Sequence, residues 1–186
     1  MGFFKRNKKS DESRQDSSHE ELAAVWSQGE EMIGMLAEAH MSWGLGSADR
    51  WGLDQRTGMI TWTFPERTAT AAAQLLGSFN AEAGTWLWAW GNQSILPEMS
   101  RDSAVVRDWL LAQGYSGLAE PMVDADDQMA AMLAAIAVRV TAAPGFYRGT
   151  GSAAIPFITF GPVTLTAEDG TSSTFQIDFE VESAAE

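Results

Sequence analysis

Apolar and polar positions along the chain follow two different periods. From Leu22 to Met41 the apolar residues Leu22, Val25, Trp26, Met32, Ile33, Leu36, Ala37 and Met41 recur mostly at spacings of three and four. That stripe predicts a helix of about six turns over residues 19–42. Ser18 with Glu21 three residues on forms a capping box at its start. Beyond Trp51 the period shifts to two. Met59–Phe64 alternates Ile60, Trp62 and Phe64 with Met59, Thr61 and Thr63, the pattern of a half-buried strand. Residues 71–79 are small and apolar, and suit either strand or helix. Strand is favoured, because Ala81–Gly84 then joins it as a hairpin to Gly84–Asn92.

That second segment carries Trp86, Trp88 and Trp90 at a strict spacing of two, with Leu87 and Ala89 between them. The spacing predicts three indoles on one face of a central strand covered on both sides. Two helices follow, over about Arg101–Gln113 and Asp127–Thr141, the second apolar nearly all round and hence buried. The chain then returns to strand over Ala153–Phe160 and in a hairpin of Pro162–Thr166 with Thr174–Glu182, turned at Asp169-Gly170. Segregated runs of helix and strand predict an α+β fold. The expected architecture is an antiparallel sheet of about six strands, with the long N-terminal helix and two further helices packed on it. Residues 1–18 read as a disordered basic tail, and 19–186 as one domain.

Charge sharpens that division. Residues 1–14 hold five basic and two acidic side chains, net +3, whereas the remaining 172 residues hold seven Arg, no Lys and 23 acids, net −16. So acidic a body repels nucleic acid and anionic membrane. No apolar run reaches the roughly 18 residues of a membrane span, so neither nucleic acid nor membrane insertion is expected, and a cytoplasmic location is. There is no cysteine, which removes disulfides, thiolate metal sites and cysteine nucleophiles.

Candidate chemistry is sparse. Gly44-x-Gly46-x-x-Asp49 lies after a predicted helix and before a strand, the reverse of a dinucleotide loop. Asp124, Asp126 and Asp127 form an acidic cluster, but a calcium loop counted from Asp124 would need Gly and Glu where Met129 and Ala135 stand. A helix start, where acids cap free amides, accounts for them better. His19 and His40 are the only histidines. No serine elbow or phosphate loop occurs, and no cofactor or metal is expected. Gln74 and Asn92 are amides in or beside buried strands, so they satisfy local backbone or face a ligand. Tyr147 and Arg148, among glycines, offer a phenol and a cation for the rim of a site.

Leu45–Trp51 with Leu53-Asp54, Gln74–Asn80, the Trp-Leu-Trp-Ala-Trp-Gly-Asn stretch within Gly84–Ser94, and Tyr147-Arg148 together resemble a family of uncharacterised bacterial proteins, domain of unknown function 6882. The resemblance covers roughly residues 20–165 and departs from the family at Gln93, where Pro is expected. It implies a bacterial origin and a single α+β domain, and carries no catalytic residue with it.

Two functions are consistent with these patterns. One is a soluble, non-enzymatic binding or protein-interaction domain of accessory or immunity type, with a protein partner or a small molecule. The other is a ligand or enzyme pocket between sheet and helices, lined by Gln74, Trp86, Trp88, Trp90 and Asn92, with Tyr147 and Arg148 at its rim.

Overall fold

The computed structural model describes residues 45–143, 145–149 and 154–175. Among these residues nine strands form one sheet: β1 (Arg50–Asp54), β2 (Met59–Thr63), β3 (Arg67–Asn80), β4 (Thr85–Trp88), β5 (Met122–Asp124), β6 (Gly145–Arg148), β7 (Ile155–Phe160), β8 (Val163–Ala167) and β9 (Ser172–Phe175). Every strand pair is antiparallel. Two α-helices, α1 (Arg101–Ala112) and α2 (Asp127–Thr141), complete the regular structure of the described residues apart from short 3-10 turns.

This corrects the expected architecture. The sheet has nine strands where about six were expected, and two short helices accompany it among the described residues. The long helix expected over 19–42, like the tail over 1–18, lies outside the described residues. Short β1 adds one strand to the count, and two more carry no readable period. β5 is three residues long, and β6 is four residues among the glycines that suggested a turn.

Fourteen-residue β3 organises the sheet. Its first half pairs with β2 on one edge and β8 on the other, and its second half pairs with β4 and β7. The register against β7 slips between Leu75 and Gly77. One extra residue in a strand reverses the parity of everything after it. Ala69, Ala71, Ala73 and Leu75 therefore pack in one apolar cluster with Ile60, Trp62, Ile158 and Phe160. Beyond the slip, Phe79 packs in the other with Trp86, Trp88 and Phe157. The bulge thus gives β3 two buried faces, one after the other.

The second cluster is closed by the helices. Val106 and Leu110 of α1 and Met129, Ala130, Leu133 and Ala137 of α2 pack on it. α2 starts at Asp126, whose carboxylate accepts from the N–H of Met129 at 2.7 Å, the capping expected of an acid there. In α1 the turn of hydrophobicity is less regular: Ser103 is buried while Val105 is 45% exposed.

Candidate functional site

The tryptophan segment does not continue as strand. β4 ends at Trp88, and Ala89–Gly91 forms a 3-10 turn. Trp86 and Trp88 are fully buried, edge-to-face at 5.2 Å, with Trp86 against Phe157 at 5.0 Å. Trp88 donates its indole N–H to the carbonyl of Leu118 at 2.9 Å, whereas that of Trp86 meets no acceptor. Trp90 leaves the strand face and lies half-buried beneath Arg107, whose guanidinium sits 5.1 Å from the ring centre. Leu87, on the reverse face, is only half-buried and is paired with Met122, itself 60% exposed. The strand is thus covered on one side, and the indoles fill the space under the helices.

The other expected site residues are dispersed. Asn92 accepts from the N–H of Ser94 and fixes a turn. Tyr147 is not at a rim: it is buried in the first cluster, edge-on to Trp51 and Trp62 at 5.4 Å each. Burial pushes its hydroxyl above the ordinary value of 10.0, and the adjacent Trp62 side chain offsets part of that shift. Arg148 forks onto Asp127 at the start of α2 and lies over Phe157.

Of these residues, Gln74 lines a groove of about 470 Å³. The groove arises because the helix layer stops short. On the face that α1 and α2 cover in one half of the sheet, the other half carries two ranks of hydroxyls. Thr63, Thr68, Thr166 and Ser172 stand in one register line, and Thr61, Thr70, Thr164 and Thr174 in the next. The groove lies at the boundary. Its floor is Ala72, Gln74, Thr159 and Gly161, and its walls are the β1–β2 turn, the residues before and at the start of α1, and the end of α2.

Each wall is held by local chemistry. In the β1–β2 turn, Asp54 accepts from the N–H of Arg56 at 2.9 Å, and Gly58 has φ 68°, where a side chain would be strained. The bond from Arg56, helped by the Thr57 hydroxyl, holds the Asp54 carboxyl below its ordinary range. Gln74 spans from sheet to helix: its amide donates to the carbonyl of Glu98 at 2.9 Å and accepts from the N–H of Arg101 at 3.0 Å. It therefore caps α1 from a neighbouring strand, while the hydroxyl of Ser100 turns back to Pro97. The hydroxyl of Thr159 donates to Asp102 at 2.7 Å. At the third wall Ala142 ends α2 in the left-handed region at φ 52°.

Charged side chains line the groove in balance: Arg56 and Arg101 against Glu98 and Asp102. Among the described residues the ion pairs join Arg107 to Asp108 and Arg148 to Asp127, and neither groove arginine is in one, although the charge of Arg56 helps lower the Asp54 carboxyl. These four groups come from segments about 40 residues apart, and no local motif marks them. Gln74 was the one legible member, as an amide in an apolar strand. Among the described residues no group of three His, Asp or Glu side chains is placed to hold a metal ion. A threonine hydroxyl on a carboxylate is also a poor nucleophile, because a carboxylate is too weak a base to deprotonate an alcohol.

No described helix is long and apolar enough to cross a membrane. No curated protein and no solved structure matches the chain. A family model matches residues 30–166, well over half of the sequence, and includes the tryptophan strand, the turn of Arg56 and the start of α1. The chain belongs to that family, a family of unknown function (DUF6882).

Proposed function

We propose that this protein is a non-enzymatic binding domain that holds a small polar ligand in the groove beside α1. The observation that supports this is the convergence of three separately braced walls on one space of about 470 Å³, within the size range of ligand clefts. The tryptophans act at a distance in this reading. They fix the sheet against the helices, and so fix where the helix layer ends.

A thermal-shift screen against metabolites, run on the wild type and on Ala72→Phe, tests the proposal. Ala72 is exposed on the groove floor, so a larger side chain there fills the groove without entering the core. Compounds that raise the melting temperature of the wild type and not of the variant support the proposal. Silence across the screen, or equal shifts in both proteins, defeats it.

The hydroxyl face supports a second reading, a protein-interaction domain. Its two ranks of Thr and Ser are half-buried or exposed and continue from the groove floor. In that case Thr61→Lys with Thr70→Lys would abolish capture of the native partner, and A72F would not.

A further inference from the structure

The lining of the groove narrows the class of ligand. Arg56 and Arg101 line the groove and form no ion pair among the described residues, in a body whose net charge is otherwise strongly negative. Arg56 has the charge of Asp54 near it, whereas Arg101 has no such neighbour among those ion pairs. Glu98 and Asp102 line the same space. A dianion such as phosphate would gain from the arginines and be repelled by the two carboxylates. A simple cation would meet the reverse. A molecule with one carboxylate and one ammonium gains from both pairs. The same lining includes the side chains of Ala72, Met99, Ala142 and Ala143, an apolar stretch suited to a hydrocarbon side chain. Ala73 and Phe160 also border the groove, but their side chains pack in the cluster on the opposite face.

We infer that the groove binds a zwitterionic α-amino acid with an apolar side chain, its carboxylate toward Arg56 and Arg101 and its ammonium toward Glu98 and Asp102. This rests on the groove being the ligand site. Arg101 is suited to hold a carboxylate, because its backbone N–H is already fixed by Gln74 and its start-of-helix position is set. Arg56 is likewise on a turn braced by Asp54. A guanidinium whose backbone is pre-positioned loses less freedom on binding.

Isothermal titration calorimetry on the full chain tests the inference, with L-leucine, L-methionine and L-phenylalanine as probes. L-leucinamide, which lacks the carboxylate, N-acetyl-L-leucine, which lacks the ammonium, and inorganic phosphate serve as comparisons. At least one free amino acid is expected to bind saturably, and both blocked derivatives to bind at least tenfold more weakly. R101A and R56A should each weaken the amino acid by tenfold or more and leave the melting temperature within a degree or two. Amino-acid binding that survives R101A and R56A would overturn the inference, as would equal binding of a blocked derivative, or phosphate binding without amino-acid binding. If all the probes fail while the metabolite screen still yields compounds blocked by A72F, the zwitterion is wrong and the groove stands. If both fail, the groove itself is wrong.

Discussion

Trp86 and Trp88 are neighbours on one strand face and equally buried, but they differ in one hydrogen bond. Trp88 satisfies its N–H on Leu118, and Trp86 buries its own without a partner. Removing the Trp88 indole nitrogen strands a carbonyl, whereas Trp86 has nothing to strand. Trp88→Phe is therefore expected to cost about 1–2 kcal/mol more than Trp86→Phe in urea unfolding; equal costs would contradict the assignment. Gly77 lies under the same rings. A Cβ there would sit 2.6 Å from the carbonyl oxygen of Leu87 and 2.8 Å from the Trp86 ring. Backbone cannot yield as a flexible side chain does, so Gly77→Ala should destabilise by about 1–3 kcal/mol, read from the shift in urea midpoint. Tyr147 gives a pH signature. Its hydroxyl titrates above the ordinary value of 10.0 in the folded state. The unfolded chain thus loses that proton first, and stability present below pH 10 falls as pH rises through the folded value. Tyr147→Phe should flatten that alkaline decline in the urea midpoint; an unchanged slope would assign it elsewhere.

Elements were legible where periodicity ran long. The helix expected over Asp127–Thr141 matches α2, because the acids at its start and its long apolar interior both mark it; of those acids, Asp126 is the cap. Asp126→Ala should cost about 1 kcal/mol, more than loss of the exposed Asp127–Arg148 pair, worth about 0.5 kcal/mol. Thermal unfolding of the two variants checks the ranking. The tryptophan strand was legible for two of its three indoles. Nothing in the spacing of Trp90 told of the 3-10 turn, because Ala89 and Gly91 suit either state. The bulge in β3 was invisible for a different reason. Ala, Leu and Gly around it are small and apolar on both faces, so a one-residue slip leaves the hydrophobic pattern intact. Short β5 and β6 are too brief to show any period and exist through pairing with β4 and β7.

At the scale of the molecule, the sheet carries two cores on opposite faces, joined through β3. Among the described residues, α1 and α2 cover one half of one face, and the hydroxyl ranks occupy the other half. The boundary between them is the groove. No sequence window contains it, since its walls come from residues near 56, 100 and 142. Only Gln74, an amide where apolar residues surround it, hinted at a polar contact, and it turned out to be the brace that fixes the start of α1. On the proposed function, ligand meets this boundary and not the indoles. Backbone amide chemical-shift mapping tests it most directly, with a mixture of free amino acids and other metabolites added in excess to the labelled chain. The account predicts that the largest shifts fall on Gln55–Gly58, Glu98–Asp102 and Thr141–Ala143, with the indole resonances of Trp86 and Trp88 unmoved. Shifts centred on those two indoles, or no shift on the groove walls, would contradict it.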